Sequence, residues 1–227
     1  MLLVAVLAGG DAVASNSGTS PLAGREVALP TESTAVRQFA DWIVKANDNQ
    51  SMPFVIVDKV SAEVAVFYAD GRVRGIAPAL LGLAIGDDSV PGIGERKLST
   101  IRPEERTTPA GRFVASLDHD LHGEEILWVD YDAAIALHRV ITSNPKERRL
   151  ERLDAAEPRE HRISYGCINV PVKFYEKVVS PSFTNTSGVV YVLPEKLNIA
   201  KVFPAFVIAQ RDQVHNLRAD SVTPPKP

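Results

Sequence analysis

Cys167 is the only cysteine in the chain, and it stands within Arg162-Ile163-Ser164-Tyr165-Gly166-Cys167-Ile168-Asn169-Val170-Pro171. A thiol can attack a carbonyl carbon when a base removes its proton and N–H donors hold the oxygen that becomes negative. Ser-Tyr-Gly ahead of the cysteine makes a poor core stretch and a good turn. Pro171 suits the first turn of a helix, and Val172, Tyr175, Val178 and Val179 follow at helical spacing. This predicts strand, tight turn and helix, with the sulfur on the turn. The positive end of the helix would then favour the thiolate. Successive backbone amides at Tyr165, Gly166 and Cys167 can converge on one oxygen, and Gly166 lets the backbone approach a substrate. Ser164 and Asn169 are expected to brace the turn by hydrogen bonds. The competing reading is packing, because a free cysteine often serves as a small buried hydrophobe.

The elements that must position this turn are mostly strands. Phe54–Val57, Val64–Tyr68, Val73–Leu83 with a break at Pro78, Phe113–Leu117, Ile126–Val129, Ala133–His138 and Val189–Leu193 are short apolar runs. Asp70-Gly71 closes a hairpin between the second and third. Many short strands with few helices predict a mostly-β fold, a sandwich or partly closed barrel, with a helix after Cys167 and one at the N-terminus. The N-terminal helix follows from Val36, Phe39, Ala40, Ile43 and Val44, capped by Ser33 or Thr34. It is expected to pack outside the strands. Residues 86–94 read as a loop with neither a P-loop ending nor a dinucleotide fingerprint. Asp118–Glu124 holds two histidines and several carboxylates, but a hairpin tip explains them, so no metal is assigned. Between 144 and 161, Lys146, Arg148, Arg149, Arg152 and Arg159 alternate with acids. That stretch is either a solvated helix laced by ion pairs or a lid over the chemistry.

A net charge of −3 gives no support for nucleic-acid binding. One cysteine allows no internal disulfide. No run approaches the roughly 18 apolar residues of a membrane span; Lys201–Ala209 is too short and is broken by Pro204. Leu2–Ala8 is apolar, and Ala12-Val13-Ala14 has the small-x-small pattern of a signal peptidase site, so residues 1–14 read as the remnant of an export signal. Residues 15–52 form a linker and the amphipathic helix, 53–195 the catalytic domain, and 196–227 an extension whose tail from Arg218 is expected to be disordered.

Ser164-Tyr165-Gly166-Cys167-Ile168-Asn169 resembles the signature of the L,D-transpeptidases, Ser/Thr-His-Gly-Cys-hydrophobic-Asn/Arg. Thr107-Thr108-Pro109-Ala110-Gly111-Arg112-Phe113 resembles that family's Thr-Pro-x-Gly-x-Phe strand entry, and Ala136-Leu137-His138-Arg139 its histidine-bearing strand end. The resemblance covers roughly residues 53 to 195. It departs at Tyr165, which replaces the motif histidine, and in the spacing, since Cys167 stands 29 positions after His138. It implies a β-sandwich-like domain in which His138 is the base and the carbonyl of Arg139 orients its ring. His161 is nearer in sequence but sits about 10 Å up the entering strand, with no turn residue to bring it back.

The implied substrate is a peptidoglycan stem tetrapeptide. Cys167 attacks the amide between diaminopimelate and D-alanine, forms a thioester, and passes the acyl group to an amine. Water as acceptor would make a carboxypeptidase or amide hydrolase, and a scaffold without catalysis would be a wall-binding module. The resemblance calls for no cofactor, and implies an exported protein, in the periplasm or cell-wall compartment, acting as a monomer. Spacing and periodicity alone give only a Cys–His pair able to transfer acyl groups on a β fold.

Overall fold

The structure is a computed structural model and describes residues 33–221. The expected export signal at 1–14, the linker up to residue 32 and the last six residues lie outside the described residues.

Helix α1 (Thr34–Lys45) starts where Ser33 accepts the Val36 N–H on its hydroxyl. Its apolar stripe of Val36, Phe39, Ala40, Trp42 and Ile43 is buried. Strands β1 (Phe54–Asp58), β2 (Glu63–Phe67) and β3 (Val73–Pro78) form a meander, and β4 (Leu81–Gly82) continues the same stretch of chain. Then come β5 (Gly111–His119), β6 (Glu125–Asp130) and β7 (Ile135–Arg139). Helix α2 (Arg149–Leu153) lies in the charged insertion, between short 3-10 turns. Strands β8 (Arg162–Ser164) and β9 (Ile168–Val170) flank the cysteine turn. Helix α3 (Val172–Phe174) runs through a wider turn at Tyr175–Val179 into α4 (Ser180–Phe183), and β10 (Gly188–Val192) follows.

Eight strands hydrogen-bond in the order β3-β2-β1-β10-β5-β6-β7-β9. The β1–β10 and β7–β9 pairs are parallel, and the others antiparallel. The two edges meet through one stretch of chain. Leu80, just past β3, exchanges both backbone hydrogen bonds with Asn169 of β9, at 2.8 and 2.9 Å. Next to it β4 pairs with β8. The molecule is therefore mostly β, with a nearly closed, barrel-like sheet and helices at both ends of the described chain. Closure removes most of the exposed edge that an open sheet would carry.

The core has two layers. Val55, Val57, Val64, Val66, Leu127, Leu137, Ile168 and Val190 point inward and meet Tyr175, Val179 and Phe183 of the helix after the cysteine. The opposite faces of β1, β2 and β10 bury Phe54, Ile56, Ala65, Phe67, Val189 and Tyr191 against α1. These three strands are apolar on both faces because both faces are covered, which is why Phe54–Val57 and Val189–Val192 read as unbroken runs.

The C-terminal end departs from the expectation. Residues 196–221 hold α5 (Ile199–Val202) and the 18-residue α6 (Pro204–Ser221). The Lys201–Ala209 stretch is broken at Phe203–Pro204 as expected: α5 ends before the proline, which starts α6, where a missing N–H leaves no bond unmade. Phe203 and Phe206 pack edge-on against Phe39, with centroids 4.9 Å apart in both cases. The tail expected from Arg218 is helical through Ser221. Among the described residues, no helix is long and apolar enough to cross a membrane.

Candidate active site

The β7–β9 register places the candidate residues. Leu137 pairs with Ile168, His138 with Asn169 and Arg139 with Val170. Leu137, Ile168 and Val170 point into the core. Side chains alternate along a strand, so His138, Cys167 and Asn169 share the opposite face. Continuing the register by one residue sets Cys167 beside Ala136, diagonal to His138, with about 8 Å between their Cα atoms. Among the described residues this is the one thiol, and it is half-buried.

The turn is held from several sides. The Ser164 hydroxyl accepts the Gly166 N–H at 3.0 Å and donates to the Cys167 carbonyl at 2.6 Å. Thr108 Oγ1 donates to the Gly166 carbonyl at 2.8 Å and accepts the Gly82 N–H at 2.9 Å. Gly166 sits at φ +130°, and a Cβ there would lie 2.7 Å from the Thr107 carbonyl oxygen. A side chain at this position would be strained and would clash. Because Ser164 holds the Gly166 N–H, that amide does not join an oxyanion nest; the candidates narrow to Tyr165 and Cys167.

A second expectation also changes. Cys167 is not at a helix N-terminus, because β9 and Pro171 intervene before α3. The sulfur donates to the Ala134 carbonyl at 3.7 Å. Burial pushes the Cys167 thiol up, against the pull of the Ala136 N–H and the positive charge of Arg149. Burial likewise lowers His138, and Arg149 adds to that, while the Arg139 carbonyl and Asp120 act the other way. Both shifts favour the uncharged forms, thiol and imidazole.

His138 Nδ1 lies 2.7 Å from the Arg139 carbonyl oxygen. A carbonyl only accepts, so Nδ1 carries the hydrogen and Nε2 keeps its lone pair. Asn169 Nδ2 is 3.2 Å from Nε2, and Asn169 Oδ1 accepts from Arg149 Nη1 at 2.5 Å. Arg149 belongs to the insertion and was read in the sequence only as one charge among many. His161 is elsewhere: it is buried, with Nδ1 3.2 Å from the Ala79 carbonyl oxygen and Nε2 3.0 Å from that of Ala155. Both ring nitrogens are engaged in tying the insertion to the barrel.

Beside the sulfur is a cavity of about 70 Å³ whose lining includes Ile93, Arg96, Ile101, Thr107, Tyr165 and Cys167. Its wall is thus built largely from the chain before β5, which the sequence marked as a plain loop as far as Gly94, left unread over residues 95–106 and matched to a strand-entry motif from Thr107. Glu105 gathers that wall by accepting from Arg96 at 3.0 Å and Arg102 at 3.2 Å. The Arg106 guanidinium lies 3.9 Å over the Tyr165 ring. Tyr165 is therefore clamped by a cation–π contact. The Asp118–Glu124 stretch forms the β5–β6 hairpin tip, where Asp120 Oδ1 accepts the N–H groups of His122 and Glu124.

The fold and site define a mostly-β domain with one thiol and one strand-end imidazole on a common sheet face. No family profile matches the chain, and no curated protein does. Solved structures do. The helical cell shape determining protein Pgp2 from Campylobacter jejuni aligns at 14% identity and TM-score 0.43, over 71% of this chain and 57% of that one. L,D-transpeptidase 3 from Mycobacterium tuberculosis, bound to a faropenem-derived adduct, aligns at 16% and 0.40, over 63% and 60%. The catalytic domain of the E. faecium L,D-transpeptidase aligns at 17% and 0.34, over 63% and 97%. The chain resembles these proteins at low identity and score, and it spans less than two thirds of the length of the first two.

Proposed function

We propose that the chain is a cysteine acyltransferase of the L,D-transpeptidase type, acting on peptidoglycan stem peptides in an exported compartment. The observation that carries this reading is the common sheet face of Cys167 and His138, with Nδ1 of the imidazole fixed on the Arg139 carbonyl so that Nε2 is the basic nitrogen. The substrate class rests on the resemblance of the motif around Cys167 to that of the L,D-transpeptidases.

In the first step Asn169 Nδ2 gives way at His138 Nε2, and the Cys167 proton passes to that nitrogen as sulfur bonds to the carbonyl carbon between diaminopimelate and D-alanine. The N–H groups of Tyr165 and Cys167 are the donors proposed for the resulting oxyanion. The C–N bond then breaks, and the departing amine of D-alanine takes the proton from Nε2. A thioester remains. An acceptor amine attacks it, His138 takes the proton from that nitrogen, the C–S bond breaks, and the proton returns to sulfur. Water in place of the amine gives hydrolysis.

The test is the intact mass of the protein after incubation with a carbapenem or a disaccharide-tetrapeptide. Wild type gains a covalent adduct and Cys167→Ala does not. An adduct on the alanine variant sinks the assignment, and so does a wild type that never acylates.

A further inference from the structure

Three hydrogen bonds through Asn169 and His138 run in one direction, and the groups at their two ends set that direction. Arg149 can only donate, so the oxygen of the Asn169 amide must face it. The Arg139 carbonyl can only accept, so His138 Nδ1 must carry a hydrogen. Asn169 Nδ2 is left to donate to Nε2, at 3.2 Å. The same amide nitrogen lies 3.4 Å from the Cys167 carbonyl oxygen, a second acceptor that favours this orientation. The amide can therefore be read without ambiguity from its neighbours.

This polarity has a chemical consequence. A proton arriving at Nε2 would point at another N–H donor. To receive it well, Asn169 would have to turn its oxygen toward Nε2, and that would turn its NH₂ toward the Arg149 guanidinium. The arginine opposes the turn. We infer that Arg149 is a positioning residue that holds the Cys167–His138 pair in its neutral thiol–imidazole state by fixing the Asn169 amide. The inference rests on the reading of His138 as the base.

The arginine is well placed for this. Its side chain is mostly covered, and its Nε is engaged with Glu147 at 2.5 Å, so one guanidinium edge anchors within the insertion and Nη1 reaches the barrel. The charged groups facing His138 are few. Arg149 comes from the insertion and Asp120 from the β5–β6 hairpin. Cys167 lies on the neighbouring turn, and the Arg139 guanidinium is drawn off to Glu176 at 3.5 Å and the Glu125 carbonyl at 3.0 Å. Burial and the Arg149 charge both lower His138, in keeping with a neutral ring at rest, whereas the same charge pulls the Cys167 thiol down; the orientation of the Asn169 amide, not the charge alone, therefore carries the inference. Arg149 is thus the charge from outside the strands that the insertion itself delivers, and its withdrawal would release the amide.

The experiment measures the rate of Cys167 alkylation by iodoacetamide against pH, with an NMR titration of the His138 imidazole beside it. In Arg149→Met the stem still fills its place but donor and charge are gone. Alkylation at neutral pH should rise severalfold and His138 should protonate at higher pH than in wild type, even though loss of the guanidinium charge by itself would raise the Cys167 thiol. Arg149→Lys, which keeps a charged donor, should stay near wild type. The gain in Arg149→Met should vanish when His138→Ala is added, because the thiolate then has no imidazolium partner. An Arg149→Met protein with wild-type alkylation and titration overturns the inference, and so does a gain that survives without His138. Failure of the underlying reading looks different: His138→Ala would then leave carbapenem acylation untouched whatever stands at 149.

Discussion

Two histidines compete for the role of base, and their surroundings separate them. His138 ends β7 with one nitrogen committed to the Arg139 carbonyl and the other on the face shared with Cys167. His161 faces a backbone carbonyl with each nitrogen. His138→Ala should lower the acylation rate by two to four orders of magnitude, the usual range for removing a positioned general base. His161→Ala should instead cost about 1–3 kcal/mol of stability, because a buried ring and the one hydrogen bond it can donate to a facing carbonyl are lost. Acylation by a carbapenem followed by mass, beside urea unfolding, reads both; a His161→Ala protein that is stable but cannot be acylated would reverse the assignment. The thiol itself is less reactive at rest than the sequence suggested. That expectation came from Pro171 and the helical spacing beyond it, which imply a helix beginning soon after a turn that carries the cysteine. Three residues of strand, Ile168–Val170, are too short to announce themselves between two stronger signals. Arg149 was equally hidden: nothing in its local sequence distinguishes it from the charges on either side, and only the fold carries position 149 to position 169.

At the scale of elements, the strands and α1 were legible because apolar runs and a 3.6-residue stripe record burial directly. The closure of the sheet was not, since Leu80 and Asn169 meet through backbone groups that every residue possesses. The insertion shows both kinds of information. Its charges are mostly exposed, as alternating signs imply, yet Leu153 is buried with Leu80 and Val140 and is flanked by Ile163. That small cluster seats α2 on the barrel next to the site. Leu153→Ala should therefore cost about 2–5 kcal/mol, the range for a truncated buried leucine. Because the insertion lies beside the proposed thioester, loosening it should raise hydrolysis relative to transfer on a tetrapeptide substrate while acylation holds, water being the smallest competitor. Hydrogen exchange over 145–157 would report the loosening. An acylation rate that collapses with an unchanged ratio would mean that the insertion positions the donor and does not screen the acceptor.

Across the whole molecule, a buried ionic cluster ties together the segments beneath the active turn. Lys59 at the end of β1 is fully buried and donates to Asp87 Oδ1 at 2.6 Å, the Gly86 carbonyl at 2.6 Å and the Thr108 carbonyl at 2.8 Å. Asp87 also accepts the N–H groups of Glu195, Lys196 and Leu197. Glu195 pairs with Arg162, whose guanidinium also donates to the Lys59 carbonyl. Thr108 then passes this support to Gly166 through its hydroxyl. The sequence offered Asp87 only as one polar loop residue, because a buried carboxylate and an exposed one are spelled alike. Burial pushes Asp87 up, but the Lys59 ammonium and the three backbone N–H groups outweigh it and hold the carboxyl at about 2. Burial lowers Lys59, which opposes the pair's stabilising sense. Between pH 4 and 2, however, Lys59 is protonated folded or unfolded, so only Asp87 changes there. An acid whose folded pKa is depressed contributes stability above its unfolded value near 4 and loses it as pH falls through the folded value. The contribution is roughly 2 kcal/mol, present at neutral pH and fading between about pH 4 and 2. Asp87→Asn leaves buried Lys59 with only Glu195, 3.7 Å away and shared with Arg162, as counter-charge, and should cost about 3–5 kcal/mol at pH 7. The gap between wild type and Asp87→Asn in urea should then narrow by roughly 2 kcal/mol from pH 4 to pH 2, with all other carboxylates cancelling in the difference. A gap that stays constant over that interval would show that Asp87 is not held ionised by this cluster.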